Sequence, residues 1–417
     1  MTLKYNPFKP NNIVHPAMFV GRVDELRAVE RCLFQAKNGN PQHFLIQGER
    51  GIGKSSLITY IEAIGEGRIQ GVQGNRFNFL TVSIDVGGCG SQLEIIGKIG
   101  RGLRSAIAPK QILKEKAKGF WDWLTNWEVL GVQYHKADKG IDPEQAAEEL
   151  VENLARFCTE AADLDGVLIL IDEADSPSVD AELGKLLKLI TERLMRAKCE
   201  RVIIGLAGLP NLLARLRESH ESSPRLFQTM LLEPLEMSER ISAVRIGIAD
   251  ANDKNDAKTE ITEEALEFLA ELSEGYPHFV QQFAFSAFEQ DADDLIDEED
   301  VGEGAFRDGG ALAQLGDKFF YEMYHARISS QEYRRVLDAM AEHGVDWVSR
   351  KSIIKETGVT EANVGNALIA LKNKDIIIQD DTRRGFYRLP TSSFAAWINA
   401  IRAARAKSDA LGGSFEG

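Results

Sequence analysis

Residues 44–57, FLIQGERGIGKSSL, hold the residue types needed to grip a chain of phosphates. Gly48, Gly53, Lys54 and Ser55 fit G-x-x-x-x-G-K-[ST]. Glycine lets the backbone of Gly48, Glu49, Arg50, Gly51, Ile52 and Gly53 turn its N–H groups toward an anion, at the positive end of the helix that follows. Lys54 is expected to reach the β- and γ-phosphates and Ser55 to hold Mg²⁺, with Ser56 completing the ATP-binding set. A second stretch, LILIDEAD (168–175), ends an apolar run in acids. Such a strand delivers Asp172 to the Mg²⁺ and Glu173 to a water beside the γ-phosphate. The acid directly after the Mg²⁺-binding aspartate argues for hydrolysis rather than for binding alone.

These side chains need a scaffold, and the pattern around them supplies one. RVDELRAVERCLFQA (22–36) reads as an amphipathic helix, with Val23, Leu26, Val29 and Leu33 on one face. HFLIQ is a short strand ahead of the glycine loop, and a helix begins near Lys54. FNFLTVSIDV (77–86), GVLILI (166–171) and RVIIGLA (201–207) read as further strands. Between them fall helices over LEIIGKIGRGLRSAI, over 143–162 behind Asp142 and Pro143, and over 181–197. Strands alternating with helices imply an α/β fold with a parallel sheet. Residues 109–142 break the rhythm with a tryptophan-rich insertion, read as a short helix followed by one or two strands. It is a packing element or the core of an interface.

Beyond LLEPLEMSERI (231–241) the pattern is helical to about residue 310. The acidic run EQDADDLIDEEDVGE (289–303) reads as a solvated loop and helix cap. DGGALAQLGD (308–317) reads as a hinge. The last segment differs. Helices over 332–344, 350–358 and 360–375, the last capped by Thr360, precede a hairpin of IIIQ (376–379) and FYRL (386–389). Three helices and a hairpin make a winged helix. The expected domains are thus 1–235, a core with its insertion at about 109–142; 236–310, helical; and 311–417, the winged helix.

Composition bounds the partners. The formal net charge of −15 gives the chain as a whole no attraction to nucleic acid or to an acidic membrane. Residues 331–405 read as a locally basic region, with 12 Lys and Arg against 9 Asp and Glu. Arg383, Arg384 and Arg388 in the wing, with Arg350 and Lys351, can meet phosphates. Asn363, Asn366 and Asn373 form a polar stripe on the third helix, and asparagine can read adenine edges in a major groove. The four cysteines, Cys32, Cys89, Cys158 and Cys199, are far apart, which argues against a zinc site or disulfide framework and fits a cytoplasmic protein. No apolar run approaches the roughly 18 residues of a membrane helix.

FVGRVDEL (19–26) resembles the hhGRxxEL motif shared by origin-recognition and replication-initiator ATPases and by STAND signalling ATPases, both related to AAA+ proteins. Residues 207–239, AGLPNLLARLRESH…SPRLFQTMLLEPLEMSE, are similar to the same superfamily, most closely to ATPases of transposition and secretion systems. SEGYPHFVQQFA (273–284) resembles the G-x-P motif of the helical lid. The resemblance implies an AAA+ core, a helical lid over 236–310, ATP with Mg²⁺, and assembly into a homo-oligomer. It places Val20, Gly21 and Arg22 on the adenine side of the pocket and Pro277 as its closure from the lid. Arg225, in SPRLF, stands where such families carry an arginine finger for a neighbouring subunit's γ-phosphate; a surface salt bridge is the other reading. Two departures imply slow turnover. The strand at 201–208 ends without the usual polar residue, for which Asn211 is a displaced substitute, and His278 stands in place of an arginine sensor. Two functions stay open: an ATPase that acts on double-stranded DNA through 331–390, or a signalling ATPase, for example in bacterial defence, whose winged helix binds a protein partner.

Overall fold

The computed structural model describes residues 4–10, 12, 19–125, 142–307, 309–316, 320–326, 328, 330–374, 376–380 and 383–410. The chain forms two compact units, 13–233 and 1–12 with 234–417.

In the first unit five strands form one sheet: β1 (His43–Gln47), β2 (Phe79–Asp85), β3 (Gly166–Asp172), β4 (Val202–Gly208) and β5 (Phe227–Leu231). Their spatial order is β2-β3-β4-β1-β5, and every pairing is parallel. A parallel sheet is covered on both faces, so its inner strands read as unbroken apolar runs. Accordingly, residues 166–171 and 202–208 are buried throughout. The helices are α1 (Val23–Lys37), α2 (Lys54–Gly65), α3 (Gln92–Ile107), α4 (Gln111–Lys116), α5 (118–125), α6 (Pro143–Glu160), α7 (Leu183–Arg196) and α8 (Leu212–Ser219). Buried residues of α3, α6 and α7 share one cluster with Leu80, Val82, Ile169, Ile171 and Ile204 of the sheet. Toward the opposite face, Gly65 of α2 lies against Leu168 and Thr81. The chain leaves β1 through the glycine loop and next enters the sheet at the far edge, β2. That reversal leaves a crevice at the carboxyl ends of β1 and β4.

One strand was not expected, and the insertion is described only in part. β5 was not anticipated; its buried residues, Phe227 and Met230, alternate irregularly with exposed ones, as an edge strand permits. In the insertion, α4 and α5 are helical, with Phe120 buried between Trp123 and Phe157. The strands expected after them fall on 126–141, outside the described residues.

The second unit begins with α9 (Met237–Lys254), β6 (Glu260–Ile261), α10 (Glu263–Leu272), α11 (Pro277–Gln290), β7 (Leu295–Ile296), α12 (Glu298–Phe306) and α13 (Ala311–Leu315). Asp297 caps α12 by accepting from the N–H groups of Glu299 and Asp300, as the acidic run led one to expect. The N-terminal segment also packs on this unit. Phe8 is buried beside Gly247 of α9, and the Lys4 ammonium bonds Asp291 at 2.8 Å. Next come α14 (Gln331–Glu342), β8 (Val348–Ser349), α15 (Arg350–Thr357), α16 (Glu361–Asn373), β9 (Ile378–Gln379), β10 (Phe386–Arg388) and α17 (Ser392–Ala410). β10 pairs antiparallel with β8 and β9, completing the expected three helices and hairpin. Within 308–317, expected as a hinge, the described residues 309–316 include packed structure: Ala311, Leu312 and Leu315 are buried, and Gly316 lies directly against the Trp397 indole.

Candidate functional site

The glycine loop takes the shape its sequence demands. Gly51 and Gly53 have φ of 78° and 95°, a left-handed backbone that glycine adopts without a Cβ penalty. Helix α2 then starts at Lys54, behind Gly53 as its N-cap and with no side chain capping it. The Lys54 ammonium donates to the carbonyl oxygens of Gly48 and Glu49, each at 2.8 Å, so it is held over the loop. Burial pulls its pKa down, opposed by the nearby Asp172 and Asp175 carboxylates.

β3 ends beside β1's loop, one strand removed in the sheet, and carries the acids there. Ser55 Oγ donates to Asp172 Oδ2 at 2.6 Å. Asp172 Oδ1 accepts the N–H of Glu173 at 2.8 Å. Glu173 has φ of 50°, a strained conformation for a residue with a side chain. This turn sends its carboxylate toward β2, where a Cβ on Gly87 would come within 2.5 Å of Glu173 Oε2 and 3.0 Å of Asp85 Oδ1. Burial raises the Glu173 pKa, and the charges of Asp85, Asp172 and Asp175 add to that rise.

Three residues of this cluster were not singled out from the sequence. Asp85 ends β2. Asp175 Oδ1 accepts the N–H of Leu209 at 2.8 Å and so ties the acidic turn to the segment after β4. Lys98 of α3 donates to the carbonyl of Asp85 at 2.6 Å. The available signals were an acid closing the strand SID and a second acid three positions after Asp172. Both are too common at strand ends to stand out alone.

The donor set is hard oxygen throughout, which suits Mg²⁺. Among the described residues no group of three or more His, Cys, Asp or Glu side chains forms a metal cage by itself. Ser55 and Asp172 are the side chains that would hold Mg²⁺.

The other expected site residues fall in varied places. Gly21 and Arg22 have φ of 75° and 62°. Arg22 is buried, and its Nη2 donates to the carbonyl of Ile52 at 3.1 Å. Arg225 is exposed in a 3₁₀ turn before β5. Phe227 pairs with His43 at the start of β1, so Arg225 lies at the end of the sheet away from the P-loop, separated by roughly 16 Å of strand. Asn211 is exposed and caps no helix with its side chain. In the second unit, Pro277 opens α11.

The second unit also holds the basic hairpin. The guanidinium groups of Arg383 and Arg388 lie 5.7 and 5.2 Å from the Trp347 ring centre, and Arg383 is also 4.9 Å from that of Phe386. Several expected contact residues are engaged within the chain. Arg383 pairs with Asp380 at 2.6 Å, Arg350 Nη2 donates to the Glu361 carbonyl at 3.0 Å, and Asn363 donates to Glu332 at 2.9 Å. Arg384, Lys351, Asn366 and Asn373 remain exposed, and Ile369 between the last two is 60% exposed.

A parallel sheet of this order, a glycine loop from β1 and paired acids from β3 define a P-loop ATPase. Residues 18–204 match the family described as "AAA ATPase domain", so the first unit carries such a domain. The chain is 27% identical over 284 residues to an uncharacterized HTH-type transcriptional regulator of Methanocaldococcus jannaschii; the match covers 66% of this chain and 65% of that protein's length. Among solved structures, the chain is similar to a Walker-type ATPase of Pyrococcus abyssi, with a TM-score of 0.56 and 17% identity, over 91% of this chain and 96% of that one. It is also similar to the ORC2 protein of Aeropyrum pernix, with a TM-score of 0.58 and 15% identity, over 97% and 99% of the two chains.

Proposed function

We propose that this chain is an ATP- and Mg²⁺-dependent switch that hydrolyses slowly, assembles with further copies of itself when ATP is bound, and acts on double-stranded DNA through residues 331–390. The observation that carries the ATP part is the 2.6 Å bond between Ser55 and Asp172, with Glu173 beside it. When bound, Mg²⁺ supplies charge neutralisation at the β- and γ-phosphates. Lys54 holds the terminal phosphates. Glu173, once ionised, orients the attacking water and accepts its proton as the bond forms. In this reading Val20, Gly21 and Pro277 enclose the nucleotide, and Pro277 reports its state to the lid over 236–310. Arg225, exposed and at the far end of its own sheet, suits an arginine finger given to a second copy. The strand at 201–208 ends without the usual polar sensor, with Asn211 only a displaced substitute, and His278 stands in place of an arginine sensor; both support a timer rather than a motor.

For DNA, the support is the layered arrangement of Arg383, Trp347 and Arg388, with Arg384 and Lys351 exposed nearby. The M. jannaschii relative, an uncharacterized HTH-type transcriptional regulator, points the same way. One observation favours the second reading, a STAND-type signalling ATPase whose winged helix docks protein. The outer face of α16 offers Ala362, Asn366 and Ile369, with Glu361 at its start, and presents no base until Lys372.

Turnover and assembly size, measured for wild type and Glu173→Gln with and without duplex DNA at two salt concentrations, separate these readings. Glu173→Gln is expected to lower turnover at least 100-fold and to retain the ATP-bound assembly. Under the DNA reading, duplex binding requires ATP and falls steeply with salt. ATP-dependent assembly that ignores DNA would select the protein-docking reading instead.

A further inference from the structure

We infer that Arg22 is a positioning residue for the P-loop: its guanidinium locks the peptide between Ile52 and Gly53 in the orientation that aims the Gly53 N–H at the nucleotide's phosphates. The inference deepens the nucleotide-site reading above and rests on it. It also assigns Arg22 to the phosphate end of the nucleotide, where the sequence resemblance implies the adenine end.

A phosphate-binding loop works only if its N–H groups face inward, so its carbonyls must face outward and find donors there. Ile52 stands between Gly51 and Gly53, both left-handed. A flip of the Ile52–Gly53 peptide turns ψ of Ile52 and φ of Gly53, and glycine at the second position lowers the resistance to it. Something else must hold the peptide. In a trans peptide the C=O and N–H point in opposite directions, and the described chain has no cis bonds. Fixing the Ile52 carbonyl therefore fixes the direction of the Gly53 N–H. The Arg22 Nη2 makes that bond, at 3.1 Å and buried.

Arg22 is itself set in place. It is 7% exposed, and its Nη1 lies 3.6 Å from Glu25 Oε1, one turn along α1. Its backbone adopts φ of 62° after Gly21 at 75°, and this double left-handed turn folds the chain back at the start of α1. For a residue with a Cβ that conformation carries strain, which structures retain where the side chain is needed. Ile52 is equally fixed, 1% exposed and packed against Gly48 at the other end of the loop. Arg22 thus acts on the phosphates through the loop.

The test uses the full chain with two probes, ADP and inorganic pyrophosphate, which share the diphosphate and differ in the nucleoside. Dissociation constants are measured for wild type, Arg22→Gly, Arg22→Met and Arg22→Lys, with thermal melts of each. Arg22→Gly accepts the left-handed backbone and so keeps the fold if Arg22→Met does not. Expected is a loss of roughly 10- to 100-fold for both probes by the same factor in the Gly and Met variants, with partial rescue by Lys, which keeps one charged donor. A loss for ADP alone would place Arg22 at the nucleoside end and overturn the inference. No loss for either probe would overturn it too. Lys54→Ala is the companion variant. If it leaves ADP affinity unchanged, the nucleotide site itself is misassigned. If it abolishes binding while the Arg22 variants do nothing, only the role of Arg22 fails.

Discussion

Glu173 reaches its position through a left-handed backbone, among Asp85, Asp172 and Asp175, and its raised pKa follows from burial and those charges. The role proposed for it in turnover requires the ionised form. The acidic limb of the pH–rate profile is therefore expected above the roughly 4.3 of an ordinary glutamate, and turnover should rise with pH through that limb. Removing one neighbouring charge, as in Asp85→Asn, is expected to move the limb toward lower pH; kcat measured from pH 4.5 to 8 reads both. A limb unmoved by Asp85→Asn would show that the neighbouring charge does not reach Glu173. Lys54, Ser55, Asp172 and Glu173 could be singled out in the sequence because the chemistry proposed for them fixes both residue type and spacing. Asp85 and Lys98 were not, since they enter the site from β2 and α3, and only the strand order brings them there. The role of Arg22 was hidden for a similar reason: a motif names a residue but not the atom it touches.

At the scale of elements, the sheet carries one feature that titrates. His43 opens β1, and its Nδ1 accepts the N–H of Ile204 on the neighbouring β4 at 3.1 Å. Burial lowers its pKa from 6.5 to about 4. The unfolded chain therefore binds a proton here at a higher pH than the folded chain does. The sign follows: His43's contribution is intact above pH 6.5 and is lost as pH falls toward 4, by on the order of 3 kcal/mol at most. Urea unfolding at pH 7 and pH 4.5 checks this. In His43→Gln, whose amide oxygen can accept the same N–H without titrating, the difference between the two pH values should shrink by about that amount. The strands of this sheet were legible because burial on both faces makes them unbroken apolar runs. β5 was not, because an edge strand needs neither a continuous run nor strict alternation. The N-caps at Asp142 and Thr360 were readable locally, and both make the expected bonds.

At the scale of the second unit, three glycines in DGGALAQLGD suggested slack, and the structure uses one of them for close approach instead. Gly316 admits the Trp397 indole, and Trp397 stacks with Phe394 at a ring separation of 6.2 Å. Phe320 lies 5.1 Å from Phe394 on one side and 6.1 Å from Phe279 on the other. These rings join α11, which Pro277 opens, to α17, which follows the basic hairpin. A polar link runs parallel to them. Glu274 accepts the N–H groups of Ser392 and Ser393 at 2.8 and 2.6 Å, capping α17 from the turn that leads into Pro277. Pairwise packing of this kind leaves no periodic trace in a sequence, which is why glycine content misled there. It also fixes how the unit should unfold. With one aromatic core shared between α11 and α17, the helices before residue 310 and the three-helix module after it should melt in a single transition. Phe320→Ala removes the central ring and is expected to cost about 3 kcal/mol or more. In hydrogen exchange, the loss should appear equally in α11 and in α17. Exchange that quickens in α17 alone would mean that the two parts open independently, and that the packed segment at 311–316 still yields as a joint.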